Sequence, residues 1–334
     1  MKKSYYLFNP GRMSRKDNTL KFTPTNEDGH EGPPKYIPIE GVSDLYCFGA
    51  LDANSALYNF LGKEQIAVHF FDYHEHYTGS FMPKEYLLAG KMQIEQTKHY
   101  GTKSKRLSIA QKFIEGAAFN ILKNLRYYHS RGKDLSAIIS TIEEYSGNIS
   151  DTTDIDALMG LEGNIRQVYY EGFDIILNDF AMNGRSKRPP KNEVNALVSF
   201  GNMMCYALCL GQIYHTQLNP TISFLHEPGY RRYSLALDIA EIFKPILVDR
   251  TIFKVLNKKE IQPSDFDSHL NGVVLKDAGK KTFVRAFEDR LNETIKHRSL
   301  NRNVSYKHLV KLECYKLTKH LLSMEEYKPF KAWW

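Results

Sequence analysis

The pattern of apolar and polar positions changes near residue 90. Before it, short runs rich in aromatic and β-branched side chains alternate with turn residues, and six of the thirteen prolines fall here. Residues 5–8, 19–23, 36–39, 45–48, 66–71 and 77–81 are predicted strands. Asn9-Pro10-Gly11 and Lys16-Asp17-Asn18 are predicted turns, because Gly, Asn and Asp tolerate positive φ or bond their own backbone. Residues 54–61 predict one short helix with Asn54 as its cap. From about residue 84 onward apolar side chains recur three and four apart, as in Leu107, Ile109, Phe113, Ile114, Ala117, Ile121 and Leu125, which predicts helices to the end of the chain. Breaks are expected at 131–134, 183–192, 217–221, 227–230, 257–264 and 301–305. The predicted fold class is α+β in two domains, a small β-rich domain over 1–90 and a larger all-α domain over 91–334. The change falls between Pro83 and Tyr100.

Composition narrows this picture without naming a function. With 334 residues, 42% hydrophobic and 25% charged, the chain is globular rather than disordered or fibrous. Its most apolar stretch, residues 197–213, is interrupted by Ser199, Asn202 and Gln212 and falls short of the roughly 20 apolar residues of a membrane span, so a buried helix and no membrane are expected. Cys47, Cys205, Cys209 and Cys314 form no C-x-x-C pair, which argues against a zinc ribbon and for free thiols in a reducing compartment. The opening residues reach a turn before any secretory apolar core develops, and a cytoplasmic location is expected. The net charge is +7. Residues 280–334 hold thirteen Lys and Arg against six Asp and Glu, so the whole excess lies at this end and makes a polyanionic partner worth testing.

Three segments carry candidate chemistry. On a helical wheel Leu158, Leu161, Ile165, Tyr169, Gly172, Phe173 and Ile176 share a face, and Glu162 falls inside that stripe. A carboxylate there must be paired, protonated or metal-bound. An ion pair with an Arg, or a stripe edge leaning into solvent, explains it as well as a metal does. His226 precedes a Pro-Gly turn, which places it at a helix end or in a loop. Ser234 is a candidate N-cap for a helix that stops before Pro245, and on it Asp238 and Glu241 are i and i+3. Together with Glu162, one imidazole and these carboxylates make a donor set suited to Mg²⁺ or Mn²⁺ completed by water and phosphate oxygens.

The strings Glu162-Gly163, Arg188-Pro-Pro, Asn195-Ala-Leu-Val-Ser-Phe200, Phe224-Leu-His226 and Ser234-Leu-Ala-Leu-Asp238-Ile-Ala-Glu241 resemble the CRISPR-associated integrase of the spacer-acquisition machinery, the first of the numbered CRISPR-associated proteins. The opening Phe8-Asn-Pro-Gly-Arg-Met-Ser-Arg-Lys-Asp-Asn18 and the Gly79-Ser-Phe-Met-Pro83 segment look like its type I-B branch. The resemblance covers essentially the whole chain, and it is the order and spacing of these strings that make it specific. It implies an N-terminal β domain used in homodimerisation and a helical catalytic domain with one divalent metal site. The ligands it implies are Glu162, His226 and Glu241, with Asp238 a further acidic position near the metal. The implied reaction is phosphodiester transesterification, in which a DNA 3′-hydroxyl attacks a phosphate at the repeat boundary, or hydrolytic nicking with water as nucleophile. A second, smaller CRISPR-associated adaptation protein is the implied partner, with double-stranded and single-stranded DNA as substrates.

Around that site, Arg185, Lys187 and Arg188 in a basic, turn-rich loop are candidate phosphate contacts, against the alternative of a solvated connector. Asn195 and Ser199 lie four apart on the next helix; the resemblance puts this Asn beside the site, and helix capping explains it equally. Tyr169 and Tyr170 are expected in the core more than on a base. His74-Glu75-His76 reads as a hairpin tip rather than a metal site. The basic C-terminus, with Lys296, Arg298, Arg302 and Lys307, is either a DNA-binding segment or a solubilising tail. Two further function classes stay open: a DNA-holding scaffold without catalysis, and a metallo-phosphodiesterase of small phosphoesters. No P-loop pattern supports a triphosphate substrate.

Overall fold

The computed structural model describes the chain except for residues 1, 27–28, 73–75, 84–86, 88, 230–232, 270–271, 298 and 334, and it divides into two compact units, Met1–Tyr86 and Leu87–Trp334. His74, Glu75 and Arg298 therefore lie outside the described residues.

The first unit holds strands β1 (Lys3–Leu7), β2 (Gly11–Lys16), β3 (Thr19–Pro24), β4 (Lys35–Pro38), β5 (Val42–Cys47), β6 (Leu51–Asp52), β7 (Ala67–Phe71) and β8 (Tyr77–Phe81), with helix α1 (Ser55–Lys63) before β7. They form two four-stranded sheets, ordered β1-β5-β7-β8 and β4-β3-β2-β6. Leu7, Leu45 and Val68 of the first sheet, Met13, Leu20, Phe22 and Ile37 of the second, and Leu57, Phe60 and Leu61 of α1 share one core. Asn54 caps α1 by accepting from the Leu57 N–H at 3.0 Å. β2 was not among the predicted strands. Only Met13 on it is apolar and buried, while Arg12, Arg15 and Lys16 face outward, so the alternation that marks a strand is too weak to read.

The second unit contains α2 (Gly90–Gly101), α3 (Lys103–His129), α4 (Ser136–Gly147), α5 (Ile155–Ile176), α6 (Glu193–Tyr214), α7 (Ser234–Lys244), α8 (Arg250–Asn257), α9 (Asp277–Asn292) and α10 (Tyr306–Leu321). Two short hairpins interrupt it, β9 (Phe266–His269) with β10 (Gly272–Leu275), and β11 (Thr294–Lys296) with β12 (Asn303–Ser305). The expectation of helix alone after residue 90 is corrected at these two places, where runs of three or four residues are too short to carry a period. α6 is long and apolar enough to cross a membrane, but most of it is buried inside the unit. The four cysteines are buried free thiols.

α7 is the helix around which this unit is assembled. Leu235, Ala236, Ile239, Ala240, Ile242 and Phe243 are all fully buried, and α7 packs against both α3 and α6. It ends at Lys244, before Pro245 as expected, but the chain does not leave helical geometry there. Proline has no N–H to give the carbonyl four residues back, and the chain continues through a π-helical turn (Pro245–Asp249) into α8. Gly201 lets this turn approach α6, since a Cβ there would collide with the Val248 side chain. Ser234 is the first residue of α7 rather than its cap, and its hydroxyl donates to the Thr221 carbonyl at 3.1 Å.

Residues 327–332 form a strap across the helical unit, with Lys328 and Lys331 exposed between its buried residues. Tyr327, Phe330 and Ala332 are buried. The buried Asn120 of α3 donates to the carbonyls of Ile242 (2.9 Å) and Phe330 (3.2 Å) and accepts from the Ala332 N–H (2.9 Å), which ties the strap to α7. Phe330 also stacks on Phe243, with ring centres 5.4 Å apart. Phe330→Ala is expected to cost about 3–5 kcal/mol of stability, the range for losing a large buried aromatic side chain. Urea denaturation followed by far-UV circular dichroism measures it.

Candidate metal and nucleic-acid site

Asp238 organises the loop that carries His226. It is fully buried on α7. Its Oδ2 accepts the N–H groups of Phe224 (2.7 Å) and Leu225 (3.0 Å), and its Oδ1 accepts the His226 N–H (3.0 Å) and lies 2.8 Å from His226 Nδ1. A carboxylate opposite Nδ1 makes that nitrogen the donor, so Nε2 is left with its lone pair outward, the form in which a histidine binds metal. With four partners of its own, Asp238 acts through His226 and is not placed as a direct ligand. The same loop is held from α2 and α3. The buried Gln96 side chain donates to the carbonyls of Asn219 and Ile222 and accepts from the Asn219 N–H. Arg106 donates to the Phe224 carbonyl (2.9 Å) and to Glu227 (2.6 Å), and the Tyr100 hydroxyl donates to the other Glu227 oxygen.

Glu162 on α5 and Glu241 on α7 converge on one side chain, Arg166. Its Nε donates to Glu162 Oε1 at 3.1 Å and its Nη2 to Glu241 Oε2 at 2.5 Å. Nη2 also lies 3.4 Å from the Glu241 carbonyl, the acceptor that Pro245 leaves without its helical donor. Lys244 donates to the remaining Glu241 oxygen, Oε1. Burial works to raise the Glu241 pKa, but Lys244, Arg166 and His226 outweigh it and hold the carboxyl at about 2. Nearby, burial pushes Asp249 of the π-helical turn up to about 6 despite the opposing pull of Arg166, Tyr169 and Lys244.

The donor types suit a hard divalent cation: two carboxylates and an imidazole whose Nε2 is available. They are not a closed cage, and among the described residues no three His, Cys, Asp or Glu side chains are arranged to grip a metal. Arg166 and Lys244 occupy both Glu241 oxygens and one Glu162 oxygen. Glu162 is paired with an Arg, one of the readings its place in the apolar stripe allowed.

The loop before α6 is also internally bonded. Arg185 turns back, donating to Asn195 Oδ1 and Ser199 Oγ, each at 2.9 Å, and to the Ser186 carbonyl. Asn195 is 1% exposed. Its amide nitrogen donates to Met182 O, Gly184 O and Asn192 Oδ1, and its oxygen accepts from the Ser186 N–H as well as from Arg185. Arg185, Asn195 and Ser199 thus hydrogen-bond within the loop and the start of α6, which satisfies buried polar groups there. Lys187 and Arg188 stay exposed. Gly272 supports this loop from the start of β10. Its φ is +134°, and a Cβ there would stand 2.6 Å from Pro189 Cβ. Tyr169 and Tyr170 are core residues. Sequence reasoning missed Arg166, Lys244, Asp249, Gln96 and Arg106. The i+4 spacing of Glu162 with Arg166 and the i+3 spacing of Glu241 with Lys244 were visible signals, whereas nothing local marks Gln96.

The molecule thus pairs an α+β fold with a carboxylate and imidazole cluster built from α5, α7 and the loop that carries His226. Residues 5–289 match the family described as CRISPR associated protein Cas1. The chain is 48% identical over 336 residues to a protein of Thermodesulfovibrio yellowstonii named CRISPR-associated endonuclease Cas1 2, with all of both chains covered. It is 46% identical over 335 residues to the CRISPR-associated endonuclease Cas1 of Fusobacterium nucleatum, covering all of this chain and 98% of that one. Among solved structures, a Cas1 protein from Thermotoga maritima is 37% identical with a TM-score of 0.85, covering 99% of this chain and 100% of that one. A casposase bound to its integration product shares the fold, with a TM-score of 0.87 at 20% identity over 99% of this chain and 93% of that one. The chain belongs to the Cas1 family of CRISPR-associated proteins.

Two substitutions test the electrostatics. Asp238→Ala strips four donors of their buried acceptor and is expected to cost about 3 kcal/mol or more, read by chemical denaturation. Asp249 has a folded pKa of about 6 against an ordinary 3.8. A raised carboxyl pKa contributes stability that is present below pH 3.8 and lost as pH rises through about 6. Asp249→Asn is therefore expected to be more stable than the parent at pH 7.5, by up to about 3 kcal/mol, and to show no such gain at pH 3.5. Denaturation midpoints at the two pH values measure the difference.

Proposed function

We propose that this chain is a divalent-metal-dependent DNA endonuclease and integrase of CRISPR adaptation, inserting captured DNA fragments into the repeat array by transesterification. The observation that carries it is the convergence of Glu162 and Glu241 from separate helices, beside a His226 whose Nδ1 is fixed by Asp238. Membership of a family whose relatives are named CRISPR-associated endonucleases supports the DNA substrate and the reaction class. Glu162, His226 and Glu241 would hold Mg²⁺ or Mn²⁺, which when bound supplies Lewis acidity at a phosphate and lowers the pKa of an attacking hydroxyl. The chain's own residues do the rest. Asp238 keeps the imidazole in the metal-binding tautomer, and Gln96 and Arg106 fix the loop that presents it. Arg166 and Lys244 offer positive charge toward a phosphate and toward the charge developing as its ester bond exchanges. The exposed Lys187 and Arg188 hold the DNA backbone against the acidic site. No side chain is the nucleophile; the DNA 3′-hydroxyl or water is.

The family reading extends to a homodimer through the N-terminal unit, to double-stranded and single-stranded DNA, to a cytoplasmic setting without membrane, and to a small second partner. One solved structure sharing the fold at 19% identity is titled a Cas6-RT-Cas1–Cas2 complex, and a Cas2-like protein is the partner proposed here. The ion pairs on both glutamates favour one alternative, a DNA-holding scaffold in which those carboxylates serve only Arg166 and Lys244. Glu162→Ala and His226→Ala separate the two readings. Each is expected to lose Mn²⁺-dependent strand transfer into repeat DNA by at least about a hundredfold while DNA binding in a mobility-shift assay persists. Full strand transfer by either variant refutes the proposal, and absence of any metal-dependent reaction in the parent supports the scaffold.

A further inference from the structure

Most of the charges at this site are paired before any ligand enters. Glu162, Glu241 and Asp249 supply three carboxylates; Arg166, Lys244 and Arg185 supply three cations that interact with them. Asp238 brings a fourth negative charge, but it is enclosed by three backbone N–H groups and the His226 ring. Both Glu241 oxygens and one Glu162 oxygen face cations. Those cations cannot swing into water: the Arg166 and Lys244 side chains are 11% and 16% exposed. The carboxylates of Glu241 and Glu162 hold the Arg166 guanidinium in its charged form against the cost of burial, and Glu241 does the same for Lys244.

A divalent cation arriving alone therefore meets glutamates already paired with two fixed positive charges, and it must compete with Arg166 and Lys244 for the same oxygens. A phosphate arriving alone meets two cations whose charge the glutamates already neutralise. Arriving together they match: the phosphate takes over Arg166 and Lys244, and the glutamates are released to the metal. We infer that a divalent cation and a DNA phosphate bind this site cooperatively, with Arg166 and Lys244 as the coupling charges. The inference rests on the metal site proposed above and adds an order to it, in which the protein without DNA is a poor metal binder.

Titration of the full-length chain with Mn²⁺ at pH 7.5, read by the electron paramagnetic resonance signal of free Mn²⁺, tests this with and without a short duplex DNA. Glu162→Gln with the same duplex sets the baseline for ions held by DNA itself. The duplex is expected to tighten Mn²⁺ binding above that baseline by about tenfold or more. Lys244→Gln and Arg166→Gln are each expected to bind Mn²⁺ more tightly than the parent without DNA and to lose most of the coupling. Lys244→Gln keeps the test available should Arg166→Gln not fold. Mn²⁺ affinity above baseline but equal with and without DNA overturns the inference and leaves the metal site standing, as does unchanged coupling in folded Gln variants. No binding above baseline in either state overturns both.

Discussion

A carboxylate removed from water needs a full set of hydrogen-bond donors to stay charged, and Asp238 obtains them from the chain segment that holds His226. This one constraint locks a loop to the middle of a buried helix. Three consecutive peptide N–H groups must point at the carboxylate, so residues 224–226 have a single backbone path. The imidazole is then held through Nδ1 by the same carboxylate. Because Glu241 lies one turn further along the same helix, the imidazole and the second carboxylate are set relative to one another by helix geometry.

The rest of the helical unit can be understood as what keeps α7 where Asp238 and Glu241 need it. α3 and α6 enclose its apolar surface, Asn120 and the C-terminal strap hold its far end at Ile242 and Phe243, and Pro245 turns the chain into a π-helical segment. That segment brings Asp249 into the same electrostatic neighbourhood as Arg166 and Arg185. A site assembled from α5, α7 and a loop separated by dozens of residues is thereby stiff, and its ionic groups are buried in opposite-charge pairs. Burial of unlike charges at close range makes each group's state depend on its neighbours, which is why a ligand of either sign disturbs more than the residue it touches.

Much of the fold was legible because the relevant forces are local. Aromatic and β-branched runs between prolines marked five of the six anticipated strands within a residue or two of where they lie, and the Asn54 cap was visible as a residue type in the right place. β2 escaped because a strand with one buried side chain carries almost no pattern, and the hairpins after residue 260 escaped because three or four residues cannot. In the site, Glu162 was conspicuous as a charge in an apolar stripe and His226 as an imidazole before a turn. That Arg185 bonds Asn195 and Ser199 was not legible, since a side chain's partners are not visible in one dimension.

By itself the sequence determined the order of elements, the α+β class, the acidic and imidazole residues that matter and the family they resemble, because periodicity, capping and residue type are properties of short segments. Only the tertiary structure decided which polar groups remain available. It placed Arg166 between two glutamates, closed the donors around Asp238 and turned the last residues into a strap. Each of these depends on burial and on partners far away in the chain, and hydrogen-bond and charge satisfaction is a property of the packed interior, not of any segment.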